Sequence, residues 1–335
     1  MGAAAYYAVY ASVCSARRLI FGTRALVFLI FANAAYGLLA SASYVLVHTT
    51  FGISVRSDFG PGVYGLSFEH DIFASTCSAG AVVFYALWRE RNPIVSSRFS
   101  ALAFWVCFAA MMLGLSRGAW LAFGLSFAVL TILVPPHRVR REGGLRRAGV
   151  VLLLLTVIGL FTTYLFASTS TSGYTPIAGI SAKAAELVNV TSGTGRARVG
   201  ELHTALSDLH ISPLIGLGTS TYNERHPLKS RNNYIGDLWL RALYDSGIIG
   251  LLLLVGFVGL VLWPNRALLR APGELGAVAR ALTFGWITLV FAYAVTDDTL
   301  FIWPWIFLAL VRVARILASR EARSGPSESP VPTTA

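Results

Sequence analysis

Apolar residues in this chain fall in long unbroken runs, with little of the alternation that marks a half-buried strand or a surface helix. Uncharged or nearly uncharged stretches occupy 25–47, 70–88, 98–114, 119–135, 147–167, 238–262, 280–296 and 299–318. Each is close to the ~20 residues with which a helix crosses ~30 Å of hydrocarbon. A segment such as 150–167 is apolar all round and has no polar face to turn toward water, which is the pattern of a helix solvated by lipid. The runs predict an all-α fold, a polytopic bundle of about eight transmembrane helices. Residues 3–16 add a shorter apolar stretch before Arg17 and Arg18, suited to the end of another helix or to a short interfacial one. No Lys or Arg precedes that stretch, so it does not read as a cleaved signal peptide.

The same runs divide the chain into N-terminal membrane helices over 1–167, a long polar segment over 168–237, C-terminal membrane helices over 238–318 and a tail over 319–335. From Ser324 the tail has the composition of disordered chain. Composition agrees: 55% of residues are apolar, 13% are charged, and mean hydropathy is +0.64. Cys14, Cys77 and Cys107 all lie in apolar stretches without metal-ligand spacing, so neither a disulfide framework nor a zinc site is predicted.

A net charge of +11 raises the question of a nucleic-acid partner, and the positions of the basic residues answer it. Of the 27, 18 fall on one side of the alternating spans, around Arg17, Arg89, Arg138, Arg266 and Arg312. The other side has 9 basic residues against 11 acidic ones. By the positive-inside rule the first side is cytoplasmic, and anionic lipid headgroups account for the charge without nucleic acid. The other face then carries a loop at 48–69, a tight turn at 115–118 and the long loop at 168–237. Loops as long as the last are uncommon unless they have a function.

Three places on that face carry candidate chemistry. Arg117 stands in Leu115-Ser116-Arg117-Gly118, between two apolar spans with almost no loop, either as an arginine snorkelling at a helix end or as one held to bind an anion. In the long loop, Thr194 to Leu209 places Val199, Leu202, Leu206 and Leu209 at amphipathic-helix spacing, with Pro213 closing the helix. Arg196, His203 and His210 share a neighbouring stripe, which reads as a solvated face or, for Arg196 near the helix start, as a phosphate-binding position. Pro213-Leu214-Ile215-Gly216-Leu217-Gly218 follows. The third place is Arg231 to Gly250, where the chain re-enters the membrane through Asp237, Trp239 and Tyr244; aromatic residues are ordinary at such a boundary.

In this order, the SRG turn, the GR-start helix followed by PLxGxG, and the re-entrant segment ending Gly247-x-x-Gly250 resemble the O-antigen ligase/polymerase superfamily of bacterial envelope glycan enzymes. The resemblance extends from about Gly65 to Gly250. It implies a GT-C-like fold in the bacterial plasma membrane and a metal-independent, inverting transfer of glycan on the outer face. The donor would be a polyprenyl-pyrophosphate-linked glycan and the acceptor a glycan or lipid-glycan hydroxyl. It also implies that Arg117 and Arg196, with Arg231 near the re-entry, bind the pyrophosphate. The family's histidine at the start of the re-entrant segment has no counterpart here. Arg231 or Gly236 stands in its place, which leaves His226, the nearest histidine, and Asp237 as candidates for the base. Several N-terminal helices usual in the family also lack a counterpart, as in a shortened homologue or a chain begun at an internal start.

No cofactor or metal is expected, although Asp297-Asp298, or Asp58, Glu69 and Asp71, offer carboxylates to a cation if they are not simply surface caps. A secondary transporter of a small anion or lipid-linked sugar is the rival class. It would place ionisable groups near the middle of its spans, where none is expected here. A non-catalytic subunit of envelope assembly is the third reading.

Overall fold

The computed structural model describes residues 2–47, 53–56, 60–67, 69–90, 94–133, 180, 193–227, 235–265, 273–293 and 302–324. Within them the chain is an all-α helix bundle. Its helices are α1 (Gly2–Ser12), α2 (Ala16–Val47), α3 (His70–Arg89), α4 (Ser97–Leu113), α5 (Arg117–Leu133), α6 (Gly193–Leu209), α7 (Thr221–Arg225), α8 (Leu238–Asn265), α9 (Gly273–Ala292) and α10 (Ile302–Ser324). Four are long and apolar enough to cross a membrane: Ala16–Val47, His70–Arg89, Leu238–Trp263 and Gly273–Ala292; Ser97–Leu113 and Arg117–Thr131 are shorter and equally apolar. The expected span at 147–167 lies outside the described residues.

Helices α3 and α9 form the centre, packed on each other and on α4, α5 and α10. Small residues make this possible. Ala74, Ser75, Ser78, Ala79, Gly80 and Ala81 on α3 are all buried, and such residues let helix backbones approach closely where lipid supplies no hydrophobic drive. Ser96 caps α4, its side chain accepting from Phe99 N at 3.2 Å. Helix α8 is different, for Leu252, Leu253, Leu260 and Trp263 are exposed along its length. In a helix this apolar, that surface belongs against lipid.

Several boundaries differ from the sequence reading. The apolar stretch 3–16 forms α1, which packs along α10 so tightly that a β carbon at Gly2 would collide with the Trp305 ring. The span expected at 25–47 starts at Ala16 and takes Arg24 into the helix, where its Nε donates to the Ile94 carbonyl at 2.7 Å. The span expected at 280–296 starts at Gly273, so Arg280 lies inside it, fully buried and paired with Glu90 through Nε to Oε1 at 2.8 Å and a second Nη2–Oε2 contact. The expectation of no charge near the middle of a span is corrected here: a charge is tolerated in the interior when its partner comes with it. Part of the loop at 48–69 is a small antiparallel hairpin, Ile53–Arg56 (β1) with Gly60–Val63 (β2), pairing Ile53 with Val63.

Candidate active site

The SRG turn is built by a residue in an unusual conformation. After α4 ends, Gly114 packs against Ala74, whose β carbon would lie 2.7 Å from any β carbon placed there, and Leu115 takes a left-handed φ of 52°. Left-handed backbone is uncommon for a branched residue and persists where surrounding packing determines it. Leu115 and Ser116 are both buried. Trp120 Nε1 donates across the turn to the Met111 carbonyl at 3.2 Å. Arg117, half-buried, is therefore the first residue of α5 and sits on a rigid corner. The start of α3 lies beside this corner, with the His70 carbonyl 3.3 Å from the β-carbon position of Gly114. There the Glu69, His70 and Asp71 side chains gather with ligand atoms within 4.8 Å of one another. These three have the donor chemistry for a cation; Asp58, Asp297 and Asp298 lie outside the described residues.

Helix α6 spans Gly193–Leu209, as the spacing predicts, and places Arg196 in its first turn. The face it buries is the surprise. Arg198, Glu201, Ala205 and Asp208 turn inward, at i, i+3, i+7 and i+10, with Arg198 Nη1 donating to Glu201 Oε2 at 2.9 Å. Val199, Leu202 and Leu206 are exposed, so the apolar stripe of this amphipathic helix does not face the core.

The segment Pro213–Gly218 then docks into a break in α8. At Gly247 the backbone leaves helical geometry (φ 66°, ψ −165°), which frees carbonyls before the break and N–H groups after it. The docked segment satisfies both sets. Leu217 N donates to Tyr244 O at 2.9 Å and Gly218 N to Asp245 O at 3.0 Å, while Ile248 N donates to Pro213 O at 2.9 Å and Ile249 N to Leu214 O at 3.2 Å. A break inside so apolar a helix needs this, because an unpaired backbone group in hydrocarbon costs on the order of several kcal/mol. Gly216 and Gly247 make the approach possible. Each has positive φ, and a β carbon on Gly216 would lie 2.5 Å from three backbone atoms of 245–247.

Docking brings together three distant residues. Asp208 Oδ2, at the inner end of α6, receives Tyr244 Oη at 2.9 Å from α8 and lies 2.7 Å from His226 Nε2, just past α7. Arg225 Nε stands 3.4 Å from the same oxygen. Burial acts to raise the Asp208 pKa, but the hydrogen bonds from His226 and Tyr244 and the charges of His226 and Arg225 outweigh it and hold the carboxyl below its usual value. The Tyr222 ring packs at 5.1 Å from the His226 ring and edge-on to Tyr244. With Nε2 directed at the carboxylate, Nδ1 of His226 is the nitrogen left to accept a proton.

Asp237 caps α8, Oδ1 accepting from Trp239 N at 2.8 Å and Leu240 N at 2.9 Å. Its pKa is raised, by burial first, with those bonds and the charge of Arg198 offsetting only part of it. The Arg198 guanidinium lies against Gly236, filling the space a side chain there would need. Of the residues singled out from the sequence, His226 and Asp237 thus border the α6–α8 contact, Arg117 stands at the α4–α5 corner, and Arg231 lies outside the described residues. His203 and His210 are exposed and take no part. Asp208, Tyr244 and Arg198 were missed. The available signal was an acidic residue in register with Glu201 and Ala205 on one helix face, but the apolar stripe beside it points the other way.

Compared with known families, residues 102–263 match the O-antigen ligase family, a stretch that begins in α4 and ends in α8. No curated protein matches the chain.

Proposed function

From the match of residues 102–263 to the O-antigen ligase family, we propose that the chain is a member of the O-antigen ligase/polymerase superfamily and transfers a glycan from a polyprenyl-pyrophosphate carrier to an acceptor hydroxyl. In this reading the reaction runs on the extracytoplasmic face of the bacterial plasma membrane, on a GT-C-like scaffold, without a metal and with inversion. The acceptor oxygen attacks the anomeric carbon, His226 takes its proton, and the bond to the carrier breaks with its electrons on the pyrophosphate. Arg117, Arg196 and Arg231 bind that leaving group. Asp208 orients His226, and Tyr244 holds Asp208. The observation that carries the reading is the 2.7 Å contact between Asp208 and His226 at the broken helix. It provides a built base within the matched region, although the family's histidine position holds no histidine.

Turnover of a lipid-linked glycan donor in proteoliposomes tests this. His226→Ala should lower turnover on the order of a hundredfold or more, the usual contribution of a positioned base. Asp208→Asn, which keeps shape but removes the charge, should cost about tenfold and alter the pH profile. Full turnover of His226→Ala with an unchanged pH profile would dismiss this base in favour of Asp237 or an unassisted acceptor. The lowered Asp208 pKa also sets a sign. Its folded value lies below its unfolded one, so the clasp stabilises the protein above the ordinary carboxylate range and is lost as pH falls through the lowered value.

Chelation is the second test. Transfer should survive EDTA. If EDTA abolishes it and magnesium or manganese restores it, the Glu69–His70–Asp71 group, or Asp297–Asp298, takes over the role given to arginine.

A further inference from the structure

Helix α6 has three faces. One, through Arg198, Glu201, Ala205 and Asp208, is turned into the protein. A second carries Gly200, His203, Ser207 and His210 and is exposed and polar. The third is apolar and exposed: Val199 is 53% accessible, Leu202 45% and Leu206 50%. This order is the inverse of that in a water-soluble domain, because here polar residues are inside and the leucines outside.

The apolar face does not stand alone. Past the end of α6 it continues through Ile211, Leu214 and Ile215, all exposed, the last at 71%. Leu214 is bonded through its carbonyl to Ile249 N, so this edge runs directly onto Ile248, Ile249, Leu252 and Leu253, the exposed flank of α8. Only 6% of the apolar window of α8 is buried, which makes that flank a lipid-facing surface. The stripe on α6 is its continuation around the break at Gly247.

We propose that α6 lies in the plane of the membrane, with its Val199–Leu202–Leu206 face sunk into the leaflet that α8 enters at Leu238. An amphipathic helix with a charged flank and an apolar face takes this position, at the boundary of headgroups and acyl chains. The polar face with His203 and His210 then meets headgroups and water, and the inward face holds the Asp208–His226 cluster at headgroup depth. The placement does not depend on the proposed reaction. It assigns the stripe to lipid rather than to another protein surface.

Single cysteines test it in the full chain reconstituted in vesicles, with exposed Cys14 first replaced by serine. Leu202→Cys and Leu206→Cys should carry an environment-sensitive fluorophore with blue-shifted emission, quenched at least about twofold more by shallow nitroxide lipids than the same probe at Ser207→Cys. Blue-shifted emission without lipid quenching would assign the face to another segment of this chain and overturn the proposal. Shielding that vanishes when the protein-to-lipid ratio is lowered would assign it to a second copy and overturn it equally. Emission at Leu202 and Leu206 matching that at Ser207 would place the face in water. With the probe moved to Val199→Cys on the same face, adding Leu202→Glu/Leu206→Glu, both at exposed positions, should abolish the quenching while retaining the fold of the bundle.

Discussion

Gly247→Ala should uncouple Pro213–Gly218 from α8 and abolish most activity. Its backbone, at φ 66° and ψ −165°, occupies a region essentially reserved for glycine, where a side chain costs on the order of 1–3 kcal/mol. A β carbon would also strike the Leu214 carbonyl and lie 2.6 Å from Gly216 N, both backbone atoms that cannot turn aside. Relief would require withdrawing the docked segment, and four backbone hydrogen bonds would go with it. His226 would then lose its fixed relation to Tyr244. Hydrogen exchange should show lost protection at Leu217, Gly218, Ile248 and Ile249, and glycan transfer should fall by at least about tenfold for each 1.4 kcal/mol of undocking. Gly256→Ala in the same helix is the control, because no atom lies within 4 Å of its β-carbon position. Wild-type protection and transfer in Gly247→Ala would refute the coupling of dock and site.

Arg117→Lys and Arg196→Lys should each insert normally and lose about a hundredfold or more in transfer, the effect of removing one stabilising contact worth on the order of 2–4 kcal/mol. A guanidinium binds two pyrophosphate oxygens through a planar fork, whereas an ammonium offers a point charge. Negative charge on the pyrophosphate would grow as the carrier leaves, so arginines bound to it would lower the barrier more than they lower the energy of the bound donor. Arginines serving only to snorkel or to set topology would tolerate lysine. Near-normal transfer by both variants, at equal abundance in the membrane, would remove the pyrophosphate assignment.

These two predictions stand on different ground. The arginines were legible in the chain because an SRG turn between two apolar runs, and an arginine at the start of an amphipathic helix, are local patterns. The importance of Gly247 was only half legible. A glycine pair at the end of a re-entrant segment marks it as special, but that its partner is Gly216 of PLIGLG follows only from the docked backbone. Asp208 was not legible at all, since it lies 18 residues from His226 and 36 from Tyr244 and no spacing rule connects them.

What the chain alone determined is what a helix decides within its own length. Length and apolarity select lipid-crossing segments because each satisfies its backbone internally, and spacing sets a helix from Thr194 to Leu209, within one residue of α6, for the same reason. Which face of α6 turns inward was decided by the tertiary structure. In water an apolar stripe marks the core, because burial is its only escape from solvent. Beside a membrane lipid offers the same escape. The stripe can then remain outside while Arg198, Glu201 and Asp208 turn inward, where ion pairs and hydrogen bonds satisfy them. Arg280 follows the same logic: only the arrival of Glu90 from α3 made the interior available to its charge.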